Sequence, residues 1–345
     1  MRRTKVGIRD VAIAAGVSVT TVSHTLNNLA EKRISPDTRR RVHEAAQRLG
    51  YTPNGLARGL RLQRSGTVGL ISDEIATTPH AGKIILGAQE AVARHGGLLM
   101  VLDTGGAPAL EDRAARLLMR HQVDGVLLAA MYHRQVTVPA ALHGVPLVLL
   151  NALAEDRSLS WVVPDEVGGG RAATHELLAA GHRRIAFIND SDDIPARHGR
   201  LRGWHERLHE EGIAVASCPV IDVVPGAPAG REAALTLLRS PEPPTGIFAF
   251  NDAIAMGVYQ AAAELGLRIP ADLSVVGFDD LQLISEGLHP GLTTIALPHY
   301  EMGVWAAEQL YDRINAPAGT QPPVRHRTLE GPLVRRSSVA PPPRR

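Results

Sequence analysis

The chain contains one cysteine, Cys218, among 345 residues. No disulfide can form within it, which fits a reducing compartment, and the thiol reads as a small buried hydrophobe. Aromatic residues make up only 3% of the composition. No apolar run approaches the roughly 18 residues needed to cross a bilayer. The opening residues MRRTKVGIRD are basic but lack the apolar stretch of a secretory signal. These absences predict a soluble, cytoplasmic protein without membrane contact. Gly168-Gly169-Gly170 has neither a P-loop lysine nor G-x-G-x-x-G spacing and reads as easing a crossover between lobes, so no cofactor is expected.

What is present is an ordinary globular composition, 44% hydrophobic and 21% charged, in a chain long enough for more than one domain. Its charge is segregated. Residues 1–65 carry 13 Lys+Arg against 4 Asp+Glu, a net +9, while the remainder carries 24 against 31, a net −7; together they make the chain's +2. Phosphate neutralisation with counterion release explains this asymmetry; general solubility does not.

Inside the basic segment, Ile8–Asn28 reads as two short helices with a tight turn between them. Val11, Ala12 and Ala15 give the first an apolar face, and Gly16 can take the positive φ of the turn. Ser18 is a natural N-cap for the second helix. Val22 and Leu26 face the core, which leaves Val19, Thr20, Thr21, Ser23 and His24 outside, where short polar side chains suit base edges in a major groove. This is the pattern of a DNA-binding helix-turn-helix. A third helix begins at Ser35-Pro36, carries Val42, Ala45, Ala46 and Leu49 on its apolar face, and meets a capping glycine at Gly50. After it, PNGLARGLRLQR reads as a weak basic helix, with Gly55 and Gly59 each costing roughly 1 kcal/mol relative to alanine.

From Thr67 apolar strands alternate with amphipathic helices. Strands are expected at 67–72, 98–102, 124–129 and 146–150, and again at 184–189, 219–223, 246–250 and 273–277, all buried in the first series. Helices are expected near 81–95, 109–121 and 136–142, then 167–180, 195–211, 230–239, 252–265 and 300–314. Alternation at this spacing means parallel sheets with right-handed crossovers, and two such series suggest two α/β lobes. The Pro/Arg-rich end, 339–345, is expected to be disordered.

The chain resembles the LacI family of bacterial transcription regulators over essentially its full length. The resemblance rests on DVAIAAGVSVTTVSHTLN in the headpiece, Tyr51-Thr52-Pro53-Asn54, and Ala180-Gly181-His182-Arg183-Arg184-Ile185. It is carried further by Asn251-Asp252-Ala253-Ile254-Ala255-Met256-Gly257, Ser274-Val275-Val276-Gly277-Phe278-Asp279-Asp280 and Pro290-Gly291-Leu292-Thr293-Thr294-Ile295. It implies a homodimeric repressor with three parts: a headpiece at 1–52, a hinge helix at 53–66, and a core at 67–345 of the periplasmic-binding-protein type. The core's first lobe would be about 67–163 with 296–327, its second about 164–295 with 328–338, joined by crossovers near Val163, Ile295 and Arg327. The hinge would fold on DNA, with Leu60 wedged into the minor groove and Asn54, Arg58 and Arg61 as further contacts.

The same resemblance maps an effector onto the cleft between lobes: Asp279, Asn251 and Arg200, assisted by Arg197, with Asp165 at the rim. A carboxylate–amide–guanidinium set is suited to paired hydroxyls, so a carbohydrate is the expected ligand. His80 stands near a position where relatives carry an aromatic. Stacking on a sugar ring would then fall to Trp161, Phe250 or Phe278. The alternative ligand is a nucleobase or phosphorylated sugar acting as co-repressor. A separate enzyme reading comes from His205-Glu206-Arg207-Leu208-His209, an H-E-x-x-H match that would make a zinc peptidase. It lacks an evident third ligand, and with 15 histidines in the chain a chance match is unsurprising. The chain is therefore read as non-enzymatic.

Overall fold

The computed structural model describes residues 6–26, 34–51, 64–75, 78, 81–155, 157–317, 319–320 and 322–343. It separates into two compact units, residues 1–66 and 67–345.

The first unit holds α1 (Ile8–Ala15), α2 (Val19–Leu26) and α3 (Pro36–Leu49). Local chemistry sets each boundary. Gly16 ends α1 at φ 64°, and the Val17 N–H donates back to the Ala12 carbonyl. Ser35 caps α3 by accepting from the Thr38 N–H at 3.2 Å, with Pro36 at the first helical position and Gly50 closing it at φ 63°. Val11, Ala12, Ala15, Val22, Val42, Ala45 and Ala46 form the buried core.

The second unit contains two six-stranded sheets. The first is built from β1 (Thr67–Ser72), β2 (Leu98–Asp103), β3 (Gly125–Gln135), β4 (Leu147–Leu153), β5 (Ser160–Pro164) and, late in the chain, a returning strand at His326–Leu329. The second comprises β6 (Ile185–Asp190), β7 (Val220–Val223), β8 (Gly246–Ala249), β9 (Ser274–Asp279), β10 (Thr293–Ala296) and Leu333–Val334. With the returning strands numbered β11 and β12, the orders are β2-β1-β3-β4-β5-β11 and β7-β6-β8-β9-β10-β12. Every pairing is parallel except β10 with β12. In each sheet the strand order reverses once, between β1 and β3 and between β6 and β8. A crevice opens outside the carboxyl ends of the strands at such a point.

Helices α4 (Ala81–Arg94), α5 (Pro108–Arg120), α6 (Glu166–Ala179), α7 (Pro195–Glu210), α8 (Ala227–Leu238), α9 (Asp252–Glu264), the short α10 (Gln282–Ser285) and α11 (His299–Ile314) cover the sheets. Three pairs pack through glycine. A Cβ at Gly203 would fall on the backbone of Val167 and Arg171, one at Gly257 on Ala227 and Arg231, and one at Gly303 on Ile84 and Ala88. Thus α6 meets α7, α8 meets α9, and α4 meets α11 backbone to backbone. No helix among the described residues is long and apolar enough to cross a membrane.

The structure departs from the sequence reading in four places. Residues 136–142 are not an α-helix: β3 runs on to Gln135 and only Ala140–Leu142 makes a 3-10 turn, because Val136, Val138 and Pro139 disfavour helix. A cavity of about 620 Å³, lined in part by Val136, Val138, Leu142 and Leu159, lies beside this extended segment. Strand β2 is not buried; it is an edge strand, and Leu98 on it is 64% exposed. Strands β5, β10, β11 and β12 went unread. The tail is held rather than disordered: Val339 packs on the second lobe, the Ala340 N–H donates to Ser274 Oγ at 3.1 Å, and the Ala340 carbonyl accepts from His182 at 2.9 Å. Arg344 and Arg345 lie outside the described residues.

Candidate functional site

The sequence points to two sites, one in each unit. In the headpiece, Ser18 Oγ accepts from the Thr21 N–H at 3.1 Å and lies 2.9 Å from Thr21 Oγ1. This cap fixes the first turn of α2. Val19 and Thr20 are exposed on that helix, Thr21, Ser23 and His24 are half-buried, and Val22 and Thr25 point into the core. Thr25 is the one member of the inner face that the sequence reading omitted. Asn54, Arg58, Leu60, Arg61 and His80 lie outside the described residues.

The second site is assembled at the carboxyl ends of the parallel strands. Asp279 ends β9, Phe250 and Asn251 follow β8, Asp190 ends β6, and Arg200 comes from α7, which contacts the end of β3 from the other lobe. Arg200 is 3% exposed. Its Nε donates to Glu166 Oε2 at 2.8 Å, Nη1 donates to the Phe250 carbonyl, and Nη2 lies 3.6 Å from Asp279 Oδ1. Its guanidinium is sandwiched by the rings of Phe278 at 3.6 Å and Phe250 at 4.1 Å. The glycines explain how it gets there. Gly170 lets α6 approach the Arg200 backbone, and Gly169 lets it approach the Phe278 ring. Gly168, at the start of the same helix, leaves room for the Asp165 cap.

Asn251 caps α9, with Oδ1 accepting from the Ile254 N–H at 2.8 Å; its Nδ2 has no partner among the described residues. Asp165 caps α6 by accepting from Gly168 at 2.8 Å. Arg197 is paired with Asp222 at 2.6 Å, and Asn189 Nδ2 donates to the other oxygen of Asp222. The cleft thus brings together Asp279 and Arg200, with Arg197 held on Asp222, while Asp165 and the Asn251 carboxamide oxygen are spent on helix caps.

Three further groups line the cleft from the first lobe. Asp73, just beyond β1, accepts from the Met131 N–H at 2.8 Å and from Arg134 at 2.9 Å. His133 has both ring nitrogens buried with no hydrogen-bond partner among the described residues, and burial holds it below the ordinary imidazole value, partly offset by Glu166. Tyr132 is 55% exposed. Partial burial and the carboxylates Glu74, Asp279, Asp190 and Asp73, from both lobes, raise the phenol.

Burial raises the Asp279 carboxyl to about 7 despite Arg200, and raises the Asp252 carboxyl to about 8, with Asp279 as its next cause. Asp252 accepts from the Leu281 N–H at 2.7 Å and from Thr294 Oγ1 at 2.7 Å. Asp279 and Asp280 both have positive φ, 102° and 50°. That backbone turns the chain sharply at the strand end.

The expected aromatic stackers are otherwise engaged. Phe250 and Phe278 face Arg200, and Trp161 stacks on His326 with centroids 4.6 Å apart. Tyr132 is the exposed aromatic of the cleft. In the H-E-x-x-H match, Glu206 accepts from Arg202 at 2.7 Å and Arg171 at 3.2 Å, and Arg202 holds it below the usual carboxylate range. Among the described residues no three His, Cys, Asp or Glu side chains gather to hold a metal. Sequence reasoning missed Glu166, Asp190, Tyr132, His133 and Asp73, whose only linear signal is position next to a strand end.

The model of bacterial regulatory proteins, lacI family, matches residues 7–54, and that of a periplasmic binding protein-like domain matches 174–339. The chain is 33% identical over 320 residues to the HTH-type transcriptional repressor CytR of Escherichia coli K12, covering 91% of each. It is similar to the solved CelR–cellobiose complex, at 33% identity and TM-score 0.68, over 96% of this chain and 99% of that one. The lac repressor dimer bound to operator and the anti-inducer ONPF matches at 26% identity and TM-score 0.76, over 98% and 100%. The chain belongs to the lacI family of bacterial regulatory proteins and is a helix-turn-helix DNA-binding regulator.

Proposed function

We propose that the protein is a cytoplasmic homodimeric repressor, released from a pseudo-palindromic operator when a carbohydrate binds the cleft, and that it is not an enzyme. The observation that carries this reading is the pairing of Asp279 and Arg200 at the strand ends, facing Tyr132 and His133 of the other lobe. Carboxylate and guanidinium together bond vicinal hydroxyls, and a ligand touching both lobes favours their closed arrangement. The similar CelR structure holds cellobiose, and the similar lac repressor structure is a dimer on operator DNA. Commitment of Glu206 to two guanidiniums argues against peptidase chemistry.

On this reading Thr20, Thr21 and His24 touch base edges with Val19 beside them, and Leu60 wedges the central step. A coupling of roughly 1–3 kcal/mol between ligand and operator is ordinary for such control. The test is operator binding by full-length protein, across a salt series, with and without a panel of carbohydrates. Site-selective, salt-sensitive binding weakened by one carbohydrate is the expected result. Binding that one compound strengthens would instead make the protein co-repressor dependent, and loss of all site selectivity would sink the proposal.

A further inference from the structure

The charge pairing in the cleft narrows the class of ligand. Three guanidiniums stand at the strand ends, and each already has a carboxylate: Arg200 with Glu166 at 2.8 Å, Arg197 with Asp222 at 2.6 Å, and Arg134 with Asp73 at 2.9 Å. Asp279 lies beside Arg200 at 3.6 Å, a second carboxylate on the same cation. Asp190 is buried and has no ion-pair partner among the described residues. Acid is in excess. Helix N-termini are the other usual seat for an anion, and two of the three here are capped by side chains while the third, that of α7, has no cap but follows a run of acids. Asp165 caps α6 and Asn251 caps α9, while α7 opens directly after Asp190, Asp192 and Asp193.

We infer that this cleft takes an uncharged polyhydroxyl compound and rejects its phosphate ester and its uronic acid; the inference rests on the cleft being the effector site. A phosphate or carboxylate accepts hydrogen bonds and donates none when ionised. Placed here it would lose hydration, find no unpaired cation among the described residues, and lie beside the carboxyls of Asp190 and Asp279. A hydroxyl both donates and accepts. It can donate to the spare lone pairs of the paired carboxylates. It can also accept from Asn251 Nδ2 and from whichever His133 nitrogen carries hydrogen. The unsatisfied set is therefore mixed donor and acceptor, which matches hydroxyls and not oxyanions.

The experiment is thermal unfolding of the full-length protein with ribose, glucose and cellobiose, and with the phosphate esters of ribose and glucose and glucuronic acid. At ligand concentrations near 100 Kd a neutral sugar that fits should raise Tm by about 5 °C. The matched anions should raise it by less than a tenth of that at equal concentration. Glu166→Gln, which removes the nearer of the two carboxylates on Arg200, should gain affinity for the phosphate ester by roughly tenfold, the scale of one freed charged contact. Stabilisation by an anion equal to or above its neutral parent would overturn the inference while leaving the cleft reading standing. An anion response unchanged in folded Glu166→Gln would also overturn it, since the pairing would not be the discriminator. Silence from every carbohydrate, neutral and charged, would overturn both this inference and the effector reading beneath it.

Discussion

Arg200 donates through Nε to Glu166 over 2.8 Å, and both side chains are almost wholly buried. Removing Glu166 leaves Arg200 with only the longer contact to Asp279 at 3.6 Å, and breaking a buried pair in this way costs about 3–5 kcal/mol. Glu166→Ala should therefore destabilise the protein strongly in a urea titration. Replacing both residues by apolar ones of similar volume should recover most of the loss, because the pair itself repays little beyond its own desolvation. A Glu166→Ala protein as stable as the parent would mean that the pair is solvated.

The raised carboxyls give stability a sign with pH. Asp252 at about 8 and Asp279 at about 7 are protonated in the fold at pH values where the unfolded chain, near 3.8, is ionised. The folded state then binds more protons, so this contribution is whole below the unfolded value and is lost as pH rises through the folded values. His133 and His182, held low by burial, work in the opposite sense, but only below their ordinary value of 6.5. Between pH 6.5 and 8 the carboxyls dominate, and the free energy of unfolding should fall as pH rises. Asp252→Asn should flatten that slope. A wild-type curve rising through this window would contradict the assignment.

The glycine contacts predict a localised sensitivity. A methyl at Gly203 would land on the Val167 carbonyl and the Arg171 nitrogen, backbone atoms that cannot swing aside. Gly203→Ala gains about 1 kcal/mol of helix propensity and loses more to overpacking, about 1–3 kcal/mol. The net change should be destabilising. Arg200 lies one turn earlier on α7, so affinity for the carbohydrate should fall with stability. Calorimetric titration of a still-folded variant checks the second half; unaltered affinity would show that the α6–α7 spacing does not position Arg200.

These cases show what was legible in the sequence. Caps and turns are local, so Ser18, Gly16, Ser35 and Gly50 marked the headpiece helices accurately. Runs of four to six apolar residues marked the inner strands. Strand β11 could not be read this way, because HRTL is mostly exposed at a sheet edge and owes its place to pairing with β5. Glu166 was invisible for another reason: it meets Arg200 only because Gly170 and Gly203 bring two helices together across 34 residues of chain. Phe250 and Phe278 were recognised as cleft aromatics, but a buried guanidinium between them cannot be foreseen from spacing.

In the headpiece, capping and reading should separate experimentally. Ser18→Ala removes the acceptor for the Thr21 N–H and should cost about 1 kcal/mol of α2 stability. The proposed major-groove contacts ride on that helix, so affinity should fall for every operator sequence alike. Thr20 is exposed and takes no part in the cap, so Thr20→Ala should weaken discrimination at one base pair per half-site, by about 1 kcal/mol, and leave the others unchanged. His24→Ala should do the same at a neighbouring pair, because it lies one turn further along the helix. Titrations against an operator set with each base pair varied in turn distinguish the two patterns. A uniform loss from Thr20→Ala would assign that side chain to the phosphate backbone, and a base-specific loss from Ser18→Ala would move the reading surface one residue toward the turn.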